Sequence, residues 1–149
     1  FVVRALLEHM DALCSHVVAA AEPQLMQLCS CQHLHTPLEG ILRDAYSDAD
    51  LIDRLHPTPA VGGTPRDVAL AWLDTHESFD RGIYAAPVGW VGFDAAEFCV
   101  AIRSGLVRGD TLAVYSGAGI VPGSTADEEW AEIETKMGNF LRAVQHARH

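Results

Sequence analysis

Basic residues are scarce in this chain: 10 Lys and Arg stand against 20 Asp and Glu, a formal charge of −10 with the histidines neutral. A cationic face for nucleic acid is therefore not expected. No run approaches the ~20 consecutive apolar residues of a membrane-crossing helix, so no membrane partner is expected either. A basic stretch followed by an apolar one and a cleavage signal is missing, and with it any mark of secretion. Cysteine is limited to Cys14, Cys29, Cys31 and Cys99. They suggest no compact bridged framework, and reduced thiols in a cytoplasmic protein are the simplest expectation. There is no Gly/Ser linker, low-complexity tract or 20–50-residue repeat to divide the chain. What is present is 49% hydrophobic and 20% charged over 149 residues. That suits one folded domain or a large piece of one, and excludes disorder.

Phe1 opens inside a pattern already running. Phe1, Val2, Leu6, Met10, Leu13, Cys14, Val17 and Val18 recur at helical spacing, which predicts a helix over residues 1–21, closed by Pro23. A helix whose cap is missing reads as the start of a C-terminal part of a longer protein. Residues 24–34 read as one strand, and residues 38–46 and 49–55 as short helical turns. His56-Pro57-Thr58-Pro59-Ala60-Val61-Gly62-Gly63 is a shaped loop, since each proline disfavours helix at the residue before it. Thr64-Pro65-Arg66-Asp67 predicts a helix start with Thr64 as cap and Pro65 at the first helical position, reaching about residue 77. Strands are expected over 83–91, 98–103 and 111–116, with turns at Gly92-Phe93-Asp94 and Arg108-Gly109-Asp110. Thr125-Ala126-Asp127-Glu128 fits a capping box for a last helix. Its apolar stripe is Trp130, Ile133, Met137, Phe140, Leu141 and Val144. This order is α+β, not an alternating βαβ unit.

Several groupings bear on chemistry. Cys29-x-Cys31-x-His33-x-His35 would place four metal-type side chains on one strand face. Same-face neighbours lie about 6.6 Å apart, too far for four of them to share one ion at bonds of ~2.0–2.3 Å. Packing of a buried strand is the better reading, with His33 open to a role of its own. Gly117-x-Gly119 permits close backbone approach to an anion, or is an ordinary turn. Glu129, Glu132 and Lys136 share a stripe of the last helix. The two carboxylates suit Mg²⁺, or all three make a solvated charged face. Arg103, at the end of an expected strand, can clamp a carboxylate through two hydrogen bonds or simply reach water.

In order and at matching spacing, the chain carries Gln32-His33-Leu34, Leu55-His56-Pro57-Thr58-Pro59-Ala60-Val61-Gly62-Gly63 and Asp80-Arg81-Gly82. Then follow Tyr84-Ala85-Ala86-Pro87-Val88-Gly89-Trp90, Ala101-Ile102-Arg103, Tyr115-Ser116-Gly117-Ala118-Gly119-Ile120-Val121 and Glu129-Trp130-x-Glu132-x-x-x-Lys136. The set resembles the C-terminal part of the chorismate-utilising enzymes, and among them the isochorismate synthases. It runs through nearly the whole chain.

The resemblance implies a four-layer α/β/β/α fold of packed antiparallel sheets, with residues 1–149 as the C-terminal part of a single catalytic domain whose N-terminal part is absent. It implies Mg²⁺ as cofactor, with Glu129 and Glu132 as its ligands. It places Lys136 near the ring carboxylate, Tyr84 and Arg103 on the enolpyruvyl carboxylate, Gly117 and Gly119 beside the substrate, and His33 near the ring as a catalytic residue. The base, the acid and a further metal carboxylate would lie upstream, so the isolated chain should be inactive. Ala60 matters to the choice of nucleophile: relatives that use ammonia, and salicylate synthase, show Thr there. The implied activity is isomerisation of chorismate to isochorismate, by addition of water and loss of the ring hydroxyl, in siderophore, salicylate or menaquinone synthesis. The alternatives are a salicylate synthase, which would also eliminate pyruvate, and an inactive chorismate-binding module. The complete enzyme is expected to be a cytoplasmic monomer. Ala86 departs from the family's glycine before Pro87, which matters if that backbone needs a positive φ.

Overall fold

The computed structural model describes residues 1–27 and 32–146. It divides into two compact units, Phe1–Ser78 and Phe79–His149. In the first, helix α1 (Val2–Leu13) is shorter than the periodicity predicts. The backbone turns extended at Cys14 and continues as strand β1 (Cys14–Ala19). Val17 and Val18 explain the change, since β-branched side chains lose rotamer freedom on a helix but suit a pleated surface.

Residues 24–34 are likewise not one strand. They contain β2 (Gln24–Gln27) and the start of β3 (Gln32–His35), which pair antiparallel with Gln24 opposite His35 and Met26 opposite His33. The chain then enters β4 (Leu38–Leu42), a strand where a helical turn was expected, and β4 pairs antiparallel with β1. The Ala20 N–H donates to the Pro37 carbonyl at 3.0 Å, carrying the β1–β4 ladder toward β2–β3. Residues 14–42 are therefore one long hairpin, interrupted near Pro23 and Pro37, which have no N–H to give a ladder. Gly40 lets α1 lie close upon it: a Cβ there would stand 2.7 Å from Cys14 Sγ and 3.1 Å from Met10 Cε. Leu13 is fully buried at this contact and Cys14 nearly so.

Helix α2 (Asp48–Leu55) starts from a capping box. Ser47 Oγ accepts from the Asp50 N–H, and the Asp50 carboxylate accepts from the Ser47 N–H at 2.8 Å. The Ser47 hydroxyl and then its N–H hold the Asp50 carboxyl below the usual carboxylate range. His56 and Thr58 are extended, as their following prolines require, and a single helical turn α3 (Pro59–Gly62) lies within the loop. Helix α4 (Arg66–His76) starts one residue later than expected, because Pro65 takes the cap position and Thr64 does not cap. Arg66 Nη2 donates to the His56 carbonyl at 2.7 Å, tying the start of the loop to the start of α4.

The second unit begins with a turn, and the strand expected over 83–91 starts only at Pro87. Asp80 Oδ1 accepts from the Gly82 N–H at 2.8 Å, Gly82 takes φ +51, and the Tyr84 N–H donates to the Arg81 carbonyl. Strand β5 (Pro87–Val91) then pairs antiparallel with β6 (Ala96–Val100). β6 stops before Arg103, and residues 101–103 form a corner in which Ser104 Oγ donates to the Ala101 carbonyl at 3.1 Å. Beyond it lies β7 (Ser104–Arg108), hidden in the sequence by a Ser-Gly pair that reads as a turn. β7 pairs with β8 (Thr111–Tyr115). Gly105 sits in this strand because a Cβ there would stand 2.7 Å from Phe140 Cζ of helix α5 (Ala126–His146). Thr125 caps α5, its Oγ1 accepting from the Glu128 N–H and donating to Glu128 Oε2 at 2.7 Å. Along the apolar stripe Ile133, Met137, Phe140 and Val144 are partly buried, whereas Trp130 and Leu141 are exposed.

Among the described residues the strands form four two-stranded antiparallel sheets, set among helices in an α+β order. No described helix is long and apolar enough to cross a membrane.

Candidate active site

Seven of the nine residues singled out from the sequence lie in the second unit. Tyr84 leaves the turn at 80–84 and stacks on Tyr115 of β8, ring centroids 5.7 Å apart and planes 16° apart. Arg81 lies over the outer part of this pair, its guanidinium carbon 6.0 Å from the Tyr84 centroid. The Tyr84 hydroxyl comes up against Gly117, where a Cβ would stand 2.5 Å from it. That is a steric reason for glycine at 117. The Gly117 carbonyl accepts from Lys136 Nζ at 2.9 Å, which joins the loop after β8 to the third turn of α5. Gly119 differs: a Cβ there would meet nothing within 4 Å, so the described residues set no steric demand for glycine. Between Tyr115 and Gly117, the Ser116 hydroxyl is buried without a hydrogen-bond partner among the described residues.

The carboxylates of α5 are held in two different ways. Glu132 pairs with Lys136 at 2.7 Å, and the lysine is the less exposed partner, 20% against 54%. The Lys136 hydrogen bond, then its charge, and more weakly the charge of Arg103, hold the Glu132 carboxyl below the usual carboxylate range. Lys136 is therefore the cation in direct contact with this carboxylate, and Arg103 adds a weaker charge effect. Glu129 instead accepts from Ser124 Oγ at 2.5 Å. Both glutamates offer the hard oxygen donors that Mg²⁺ takes, and Mg²⁺ commonly uses one or two carboxylates and keeps several waters. Among the described residues no three His, Cys, Asp or Glu side chains gather around one point, so the pair fits as part of a coordination shell only.

Arg103 occupies the corner after β6 with φ +50, in the left-handed region. A side chain that is not glycine is uncommon there, and such strain collects at functional positions. The neighbouring backbone settles the question raised by Ala86. The positive φ falls on Ala85 (φ +62), which is buried, and not on Ala86. Ala86 makes ordinary backbone bonds to Ile83 and Ala101, so alanine meets no left-handed conformation there.

His33 and Ala60 belong to the first unit. His33 stands exposed on β3, opposite Met26, which corrects the expectation of a buried strand face. Ala60 is exposed in α3. Of the Cys-x-Cys-x-His-x-His set, Cys29 and Cys31 lie outside the described residues. Cys14 and Cys99 are free thiols.

The profile of the family described as "Chorismate binding enzyme" matches residues 1–145. The chain belongs to this family. Within it, the chain is 44% identical over 132 residues to the isochorismate synthase MenF of Bacillus subtilis, covering 88% of this chain and 28% of that protein. It is 39% identical over 140 residues to the chloroplastic isochorismate synthase 2 of Arabidopsis thaliana, covering 93% of this chain and 25% of that protein. A crystal structure from Bacillus anthracis, assigned as the 2,3-dihydroxybenzoate-specific isochorismate synthase DhbC, superposes with a TM-score of 0.89 at 33% identity, covering 97% of this chain and 39% of that one. The chain thus has the α+β fold of the chorismate-binding enzymes and spans between a quarter and two-fifths of the length of these relatives.

Three residues of this candidate site were not read from the sequence: Ser124, Tyr115 and Arg81. Tyr115 and Arg81 stood inside the quoted motifs, but nothing in their spacing shows that both meet the ring of Tyr84. Ser124 was hidden by Thr125, since either hydroxyl before an acidic turn reads as the helix cap.

Proposed function

We propose that the complete protein, of which this chain is the C-terminal part, isomerises chorismate to isochorismate with the help of Mg²⁺. The observation that carries the reading is the chain of contacts from Glu132 through Lys136 and Gly117 to Tyr84. An acidic chain of charge −10 that concentrates cations at one point suits a substrate bearing two carboxylates. The names of the aligned relatives favour the same activity.

Arg103 receives the enolpyruvyl carboxylate, where a planar guanidinium can give two parallel hydrogen bonds, and the Tyr84 hydroxyl adds a donor. Gly117 and Gly119 border the ring. Lys136, fixed to the Gly117 carbonyl, holds positive charge near the ring carboxylate. Glu129 and Glu132 would hold Mg²⁺, which when bound supplies positive charge toward that carboxylate. The unpartnered Ser116 hydroxyl offers one more donor next to Gly117. For His33 and Ala60 the sequence resemblance implies a role near the ring and at the nucleophile's approach. The groups that activate water, protonate the departing hydroxyl and complete the metal site lie upstream. The 149-residue chain alone is then inactive, and the complete enzyme is a cytoplasmic monomer serving siderophore, salicylate or menaquinone synthesis.

Chromatography of chorismate incubated with the complete protein and Mg²⁺ tests this reading. Isochorismate without pyruvate is the expected product. Salicylate with pyruvate would make it a salicylate synthase, and binding without turnover a chorismate-binding module. Turnover by the isolated 149-residue chain would overturn the division of the site.

A further inference from the structure

We propose that Ser124 is a positioning residue that sets the metal-binding geometry of Glu129; this rests on the reading of Glu129 as a magnesium ligand. Ser124 lies in the turn between the Gly117-x-Gly119 loop and α5. Its N–H donates to the Val121 carbonyl at 3.0 Å, closing the turn. Its hydroxyl accepts from the Val121 N–H at 3.1 Å and donates to Glu129 Oε1 at 2.5 Å. Both side chains are partly buried.

A hydroxyl just before a helix ordinarily caps it. Here the cap is already filled by Thr125, which takes the Glu128 N–H and the Glu128 carboxylate. Ser124 is therefore left for Glu129, five residues on. The chain of contacts has a direction: a backbone N–H fixes the hydroxyl oxygen, and the hydroxyl proton then points at one carboxylate oxygen. Held at Oε1, the carboxylate cannot turn freely, and Oε2 is presented in one orientation. Glu132 gains its orientation from Lys136, so the two carboxylates are fixed by different chemistry. A hydroxyl, unlike an ammonium, orients Glu129 without neutralising it.

The test uses the complete protein and Mg²⁺ alone, followed by titration calorimetry. Losing such an outer partner typically weakens metal binding about 10- to 100-fold. Ser124→Ala should raise the Mg²⁺ Kd by about tenfold or more. Ser124→Thr should stay within about threefold of the parent, whereas Ser124→Val, of the same shape without the hydroxyl, should behave like Ser124→Ala. In a Glu129→Gln background, Ser124→Ala should add nothing further. This Thr–Val pair separates the hydroxyl from the shape of the turn, so the test holds even where alanine harms folding. Equal Kd values for the Thr and Val variants would overturn the positioning role while leaving Glu129 as ligand. An unchanged Kd in Glu129→Gln alone would overturn both readings. A fall in melting temperature with no change in Kd would reduce Ser124 to a turn-forming residue.

Discussion

In the second unit the candidate residues hold one another. Tyr84 meets Gly117, Gly117 holds Lys136, Lys136 holds Glu132, and the charge of Arg103 reaches the same carboxylate. In the first unit His33 and Ala60 are placed by backbone, the one by strand pairing on β3 and the other by a proline-defined loop that Arg66 fastens at His56. The contrast teaches where function should be fragile. Side chains that share partners lose more than one interaction when one is changed, and their effects do not add. A small side chain such as Ala60, displayed by backbone, can be exchanged with little effect on its neighbours.

The severest test of this contrast is Glu132→Gln in the complete enzyme. It keeps the size but removes the charge that serves Lys136, Arg103 and Mg²⁺. Turnover should fall by about 100-fold or more, with a changed Mg²⁺ dependence in steady-state rates. Unaltered Mg²⁺ dependence would remove Glu132 from the metal site. Next, Arg103→Ala should lower kcat/KM at least about tenfold, or ~1.4 kcal/mol. Arg103→Gly should lose as much activity yet melt a few degrees higher than the alanine variant, because glycine accepts φ +50 without the ~1 kcal/mol strain. Equal melting temperatures would show that the corner costs nothing.

A smaller loss is expected from Gly117→Ala, whose Cβ would press on the Tyr84 hydroxyl. We expect a drop of about tenfold or less in kcat/KM, and Tyr84→Phe should soften it in the double variant; strictly additive losses would deny the contact. The mildest effect is on titration. The Glu132 carboxyl should titrate below 4.5 by NMR, and Lys136→Met should move it back toward 4.5. Its folded-state pKa is depressed, so the stabilisation is full above pH 4.5 and is lost as pH falls through the folded midpoint. A midpoint that ignores Lys136 would break the link.

The later part of the chain was more legible than the earlier. The Thr125 cap of α5 and the turns at 92–94 and 108–110 follow from local chemistry that no distant contact opposes. The helix over residues 1–21 failed because the apolar spacing of Val17 and Val18 continues a helical pattern, while the choice of strand depends on pairing with β4, well over ten residues away. Residues 38–42 were misread for the same reason, since a short strand owes its form to its partner. For the site, motif order disclosed the identity of the residues but not their couplings. Nothing in the letters tells that Tyr84 stops at Gly117, or that Ser124 passes over the cap to reach Glu129. Such facts depend on where loops bend, and the bend at Arg103 comes with a left-handed residue that is not glycine.

The interrupted hairpin of residues 14–42 also bears on how the chain folds. Only residues 28–31 separate β2 from β3, whereas the whole inner hairpin separates β1 from β4. Loop closure becomes dearer in entropy by about 0.6 kcal/mol for each doubling of length, so the tip should zip first and bring the outer arms together. Formation would then spread from β2–β3 outward to the seat of α1. Pulse-labelled amide exchange should find Met26 and Leu34 protected before Val17 and Gly40, and the opposite order would contradict it. The other described ladders also join strands adjacent in sequence. Each sheet can thus be nucleated locally while the polypeptide is still leaving the ribosome.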